Sequence, residues 1–292
     1  MYNLFMHRFL LNIALFFFLS ITFALGVEMD WTKAYCAKYE ECREARWTDL
    51  KQALFEDIDL KNGEGIIELT TPERAPDGAF VPISFKTHKL KDQEDIISKI
   101  HLVIDMNPVP YSGTFKFATD IDQIELATRI RLDAYSKVRV IAETKKGDYF
   151  MAANFVRGSG GCSAPPLGDV DNMLANAGKM KVKVKNIGEE SGIAEAKIMI
   201  SHPQFNGLQM NPATTEMIPA YYVENIEVTY NDNIVMALES DISISQDPTF
   251  RFNFPIGDGG NLKITAKDTD GNIYSHSKKF VLQDNQLKIA SQ

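Results

Sequence analysis

From Gly65 onward the chain reads in twos. In "FVPISFKTH", Val81, Ile83 and Phe85 alternate with Pro82, Ser84 and Lys86; "KIHLVIDMNP" carries Ile100, Leu102 and Ile104 on one face. "TRIRLDA" sets Ile130 and Leu132 against Arg129 and Arg131. That is the period of a strand with one buried face. "GIIELTTP", "SKVRVIAET" and "DYFMAANFV" complete a first set, with turn signals at Pro76-Asp77-Gly78, Asn107-Pro108 and Lys146-Gly147-Asp148. A second set comprises "MKVKVKN", "AEAKIMISHP", "YYVENIEVTYN", "NIVMALES", "FRFNFPI", "NLKITAKD" and "NIYSHSKKFVL". Its turns fall at Asn231-Asp232, Gly257-Asp258-Gly259-Gly260 and Asp270-Gly271-Asn272. Strands so spaced, with no helices between them, predict an all-β chain of two immunoglobulin-like antiparallel β-sandwiches in tandem.

Helical periodicity is confined to the start. "WTKAYCAKYEECREARWTDLKQALF", Trp31 to Phe55, is rich in Ala, Glu, Lys and Arg, with Trp47, Leu50, Leu54 and Phe55 at helical spacing. It predicts one or two short helices docking on the first sandwich. Before it, Arg8 precedes an uncharged apolar run, "FLLNIALFFFLSITFALG", which ends with small residues at Ala24 and Gly26. This reads as a secretory signal peptide with Val27 as the first mature residue; an uncleaved membrane anchor is the alternative. The expected organisation is a signal peptide over 1–26, a helical segment over 27–60, a first sandwich over 61–161, a linker over 162–178 and a second sandwich over 179–292.

Of 31 Lys and Arg only Arg8 precedes Val27, against 39 Asp and Glu beyond it, an acidic balance that argues against nucleic acid as a partner. After signal cleavage no membrane association is expected. Export also changes the reading of the three cysteines, Cys36, Cys42 and Cys162, because an odd count in an oxidising compartment leaves one thiol over. Cys36 and Cys42 are a possible disulfide. In a continuous helix they would be separated by a rise of about 9 Å, so a bridge requires a turn between them.

Cys162 then stands in "RGSGGCSAPP", where Gly158, Gly160 and Gly161 offer no side chains to shelter it. The expected device is an exposed thiol on a mobile, glycine-jointed loop whose tip projects by roughly 30 Å. The bland alternative is an interdomain linker with an incidental cysteine. "GSGGCS" is not a dinucleotide fingerprint, and there is no C-x-x-C and no H-E-x-x-H. "KDTDGN" has its glycine too early for a calcium loop and predicts a hairpin turn. His88, His101, His202 and His276 are scattered singly, a pattern that predicts structural or surface roles, and no metal, cofactor or catalytic group is expected.

The residues also match a family. "TPERAPDGAFVP" (Thr71 to Pro82), Asn107-Pro108-Val109-Pro110, "ATRIRL" (Ala127 to Leu132) and the strand running into "GSGGC" resemble SoxY, the sulfur-binding subunit of periplasmic thiosulfate oxidation. "KIMISHP" (Lys197 to Pro203), "IPAYYVENIEV" (Ile218 to Val228) and "SISQDPTFRFNFP" (Ser243 to Pro255) resemble its partner SoxZ. The order resembles the fused SoxYZ-like carriers, a family associated with quinoprotein dehydrogenases, whose amino-terminal helix "RWTDLKQALF" (Arg46 to Phe55) resembles. The resemblance implies a non-enzymatic carrier that holds a small sulfur compound, or another small electrophile, covalently on Cys162, with Gly160 and Gly161 as the preceding joints. Implied partners are periplasmic sulfur-oxidising enzymes or a quinoprotein dehydrogenase, for which the chain would alternatively be an accessory protein with a secondary thiol. Three departures stand out: Ser163 and Ala164 replace the family's trailing glycines, the family's free C-terminal arm is here tethered at both ends by the fusion, and "HPQFNG" (His202 to Gly207) replaces the usual His-Pro-Met-Glu-Thr-Gly.

Overall fold

The Ala- and Glu-rich start forms two helices, α1 (Lys33–Lys38) and α2 (Glu40–Phe55), broken at Tyr39, whose φ of −110° and ψ of 127° are extended. These come from a computed structural model that describes residues 33–90, 95–117, 123–186, 192–257, 259–283 and 286–289. The expected signal peptide lies outside the described residues. Among them, no helix is long and apolar enough to cross a membrane. The break at Tyr39 supplies the turn that a Cys36–Cys42 bridge requires: the two are disulfide-bonded, with Cα atoms 4.9 Å apart. Glu40 and Glu41 occupy the first turn of α2, where carboxylates favour the helix dipole.

The first strand set comprises β1 (Leu60–Asn62), β2 (Ile67–Thr70), β3 (Val81–Thr87), β4 (Ile97–Ile104), β5 (Tyr111–Phe117), β6 (Glu125–Ile130), β7 (Ser136–Thr144) and β8 (Tyr149–Val156). The second comprises β9 (Met180–Asn186), β10 (Ile193–Ile200), β11 (Val223–Tyr230), β12 (Asn233–Ser240), β13 (Thr249–Pro255), β14 (Gly259–Asp268), β15 (Ile273–Gln283) and β16 (Gln286–Ile289). Each set is a two-layer sandwich, with a short helix α3 (Val170–Ala175) between them. Alternation holds where one face is covered: Val81, Ile83 and Phe85 are buried, and so are Phe250, Phe252 and Phe254 on β13. It fails on β4, whose last five residues are all buried, because α2 covers the outer face with Trp47, Leu50 and Phe55 against Val103 and Ile141.

The two sandwiches are joined edge to edge. β5 pairs antiparallel with β12, placing Phe115 opposite Leu238, and β6 pairs with β13, placing Leu126 opposite Phe252. One sheet therefore runs β1-β8-β7-β4-β5-β12-β11-β14-β15-β16 and the other β2-β3-β6-β13-β10-β9. The core is continuous across the seam, where the Phe115 ring meets Phe250 edge-on at 6.2 Å. Gly113 sits in β5 at this junction; a Cβ there would lie 2.6 Å from the Glu239 carbonyl oxygen, so only glycine permits the approach.

Because the seam belongs to both cores, Phe115→Ala is expected to cost about 3–5 kcal/mol and to lower one calorimetric transition rather than split it. Two separate transitions in the wild type would show that the halves unfold independently.

Candidate functional site

The motifs set apart in the sequence converge at one end of the seam. Beyond β6, "ATRIRL" continues beside "SISQDP": Arg131 N–H donates to the Ser243 carbonyl at 2.7 Å, and Ser245 N–H to the Arg129 carbonyl at 3.2 Å. Asn107, from the Asn-Pro tetrapeptide, spans both segments, since its amide nitrogen donates to the Arg131 carbonyl and to Ser243 Oγ, each at 2.9 Å. The Ser245 hydroxyl donates to the Ala79 carbonyl at 2.7 Å.

The cysteine loop leaves β8 into this junction, and the expected exposed thiol is corrected here: Cys162 is fully buried. The sequence reading sought shelter among sequence neighbours, whereas shelter comes from distant segments. Gly160 N–H donates to the Asp133 carbonyl at 2.9 Å and Gly161 N–H to the Leu132 carbonyl at 3.0 Å. Gly161 lies so close to Gly78 that a Cβ would stand 2.0 Å from the Gly78 carbonyl oxygen. Gly158 packs on Ala75 and Leu132, and Gly160 has a φ of 74°, in the left-handed region. In this conformation these glycines allow backbone to lie on backbone.

Side chains of the second sandwich close over the loop. Asn206 Nδ2 donates to the Cys162 carbonyl at 2.7 Å, and Gln209 Nε2 to the Ala164 carbonyl at 2.9 Å. The Gln246 amide holds both backbone groups of Leu167, each at 3.2 Å. Asn206 belongs to "HPQFNG", so the stretch that departs from the usual pattern is the one that grips the cysteine loop. Arg131, only 2% exposed, reaches in from the first sandwich; its Nη1 donates to the Gly161 carbonyl at 3.1 Å and its Nη2 to the Gln204 carbonyl at 3.3 Å. Burial pulls the Arg131 guanidinium below its ordinary range, opposed by the acidic side chains of Cys162 and Asp77.

Beside this loop lies a buried polar cluster that the sequence reading did not identify. His202 Nδ1 accepts from Gln204 N–H at 3.2 Å, its Nε2 faces Asp268 Oδ2 at 3.7 Å, and its ring packs on Tyr221 with centroids 4.5 Å apart. Burial pushes the His202 imidazole down to about 4, against the pull of Asp268. Burial would raise Asp268, but hydrogen bonds from Asn272 and the Tyr274 hydroxyl win and hold it below its usual value. "KDTDGN" is the turn between β14 and β15 and brings Asp268 here; Gly271 adopts a φ of 84°. Among the described residues no group of three or more His, Cys, Asp or Glu is placed to hold a metal.

Comparison with known proteins follows this division at the seam. The family described as "Sulfur oxidation protein SoxY" matches residues 51–162, and "Sulphur oxidation protein SoxZ" matches residues 180–279. The chain belongs to the fused SoxYZ-like sulfur carriers. Cys162 is the last residue of the SoxY match, and His202, Gln204, Asn206, Gln209 and Gln246 lie in the SoxZ match. No curated protein matches the chain significantly.

Among solved structures, the sulfur carrier protein SoxY from Chlorobium limicola f thiosulfatophilum is 20% identical, covering 44% of this chain and 99% of its own, with a TM-score of 0.34. A superoxide reductase (neelaredoxin) from Ignicoccus hospitalis is 13% identical over 36% of this chain and 98% of its own, with a TM-score of 0.29. A β-glycosidase from Bacteroides vulgatus is 10% identical over 73% of this chain and 24% of its own, with a TM-score of 0.22. The family assignment rests on the two family matches and not on these likenesses.

The SoxYZ-like site makes two measurable demands. Gly161→Ala places a methyl group against the Gly78 carbonyl and is expected to lift the loop, raising maleimide labelling of Cys162 by at least about tenfold in a protein that still unfolds cooperatively. Unchanged labelling would show that this backbone contact does not hold the loop down. His202 takes up its proton near pH 6.5 when unfolded but only at about 4 when folded, so the unfolded state binds more protons between those values. Stability therefore falls as pH drops through that window, by up to about 3 kcal/mol. Denaturant titrations at successive pH values are expected to show that slope, and His202→Gln to flatten it.

Proposed function

We propose that the chain is a periplasmic carrier without catalytic activity of its own, holding a small sulfur species covalently on Cys162 and presenting it to sulfur-oxidising enzymes. The carrying observation is the position of Cys162: it ends the SoxY unit, and residues of the SoxZ unit grip its carbonyl and the loop beyond it. Periplasmic residence is supported by the apolar leader and by the Cys36–Cys42 disulfide, a bond favoured outside the reducing cytosol.

Loading and delivery require the loop to lift. The closed state is held by a handful of hydrogen bonds, each worth on the order of 1 kcal/mol net, and by contacts of Gly158 and Gly161 that involve little side chain. Opening is then a local event well below the cost of global unfolding. Closed, the carrier keeps its thiol from oxidation and from intermolecular disulfides. Open, it exposes a short loop with Gly158, Gly160 and Gly161 on one side of the cysteine and Pro165-Pro166 on the other.

The burial of Cys162 also favours a second reading, in which the chain is an accessory protein of a periplasmic quinoprotein dehydrogenase and the thiol is secondary. Peptide mass spectrometry without reductant, on protein isolated from its own compartment, separates the two. Carriage predicts a discrete sulfur adduct on the peptide containing Cys162, lost in Cys162→Ser together with the cellular phenotype. An underivatised thiol under all growth conditions, with dehydrogenase co-purification that survives Cys162→Ser, would establish the accessory role.

A further inference from the structure

Arg131 is expensive where it stands. A guanidinium taken almost wholly out of water costs several kcal/mol unless an anion and a full set of acceptors receive it. The buried Arg139 shows the usual remedy: its Nε and Nη2 grip the Asp105 carboxylate at 2.8–3.0 Å. Among the described residues, Arg131 donates only to carbonyls. Its Nη1 and Nη2 donate to Gly161 and Gln204, and its buried Nε has no acceptor. Gln204, fully packed beside it, uses its Oε1 to accept from Val223 N–H at 2.7 Å, while its Nε2 donor is buried without an acceptor. The two residues, one from each sandwich, touch through the Arg131–Gln204 carbonyl bond and are both short of acceptors.

The acidic side chains that act on Arg131 are those of Cys162 and Asp77. Asp77 Oδ1 already accepts from Ala79 N–H at 2.8 Å within its own turn. Cys162 is the one on which a covalent cargo can change the charge, and Arg131 is hydrogen-bonded to the carbonyl just before it. Resting on the carrier reading, we propose that Arg131, supported by Gln204, is the anion-recognition element of the closed loop: it selects cargo that leaves a negatively charged terminus, such as a sulfonate, on Cys162. A neutral cargo adds nothing to the charge that Asp77 supplies. Arg131 is thus a specificity-determining residue, contributed by the SoxY unit and steadied by the SoxZ unit.

Two thiol reagents that differ in the charge they install test this on the full-length mature chain. With tetrathionate, the Cys162 thiolate attacks one central sulfur, the central S–S bond breaks, and thiosulfate leaves; Cys162 then carries –S–SO3⁻. With methyl methanethiosulfonate, the thiolate attacks the sulfenyl sulfur, methanesulfinate leaves, and Cys162 carries a neutral –S–CH3. In each case the thiol proton goes to solvent and no other oxidant is needed. Because both reactions use the same thiolate, the ratio of their rates at Cys162, read by intact mass, cancels any change in thiolate population.

Arg131→Gln is expected to lower the tetrathionate-to-methanethiosulfonate ratio about tenfold or more, which corresponds to about 1.4 kcal/mol, and Arg131→Lys to restore most of it. In the wild type, the sulfonate-terminated adduct is expected to melt at a higher temperature than the methylthio adduct. An unchanged ratio in folded Arg131→Gln would overturn the proposal. If that variant does not fold, an equal or lower melting temperature for the charged wild-type adduct overturns it instead. Failure of both reagents to modify Cys162 in the wild type would sink the carrier reading itself, and this proposal with it.

Discussion

Everything distinctive about this molecule depends on the pairing of β5 with β12 and of β6 with β13. Two sandwiches joined by a flexible tether could face each other in many ways. Two sandwiches that continue one another's sheets have a single relative placement, fixed by backbone hydrogen bonds and by aromatic rings packed across the seam. That placement brings Arg131 from one unit within reach of Gln204 from the other, and sets Asn206, Gln209 and Gln246 around the loop that Cys162 rides on. The site is a property of the joint, and neither unit contains it.

Most strands were legible in the alternation of the sequence, and so were the two helices at the start. The strand that makes the joint was not. "YSGTFKF" follows a proline and carries Gly113, which reads as punctuation until β12 is laid beside it. In the sequence a glycine marks weakness, but between two backbones it marks contact. The same ambiguity governed Gly161, which predicts mobility when read along the chain and serves as a packing surface when Gly78 is placed against it. Cys162 stood out as the odd thiol, yet its burial could not be read locally, because segments remote in the chain, such as the one bearing Asn206, close over its loop. Arg131 was visible as one of two exposed-face arginines in "TRIRLDA", and the alternation that put it outside was overruled by the second sandwich.

The cluster of His202, Asp268, Tyr221 and Tyr274 extends the same lesson to charge. Four polar side chains from three separate segments meet beneath the loop that bears Asn206, where burial keeps the imidazole neutral and hydrogen bonds keep the carboxylate ionised. "HPQFNG" is thereby footed on a fixed polar base and held above the cysteine loop.

The Gln246 clasp on Leu167 has a consequence for shape. It lies beyond Cys162 in the chain, while Arg157 and Gly158 enter from the other side, so the segment that the proposed carriage would lift is a bight of chain pinned at both feet. A bight carries two passes of backbone side by side wherever it goes, a width on the order of 10 Å when two strands and their side chains are counted. On the proposed carrier reading, an enzyme that takes cargo from it needs an open trough, because a bore cut for a single thread would not admit the doubled chain.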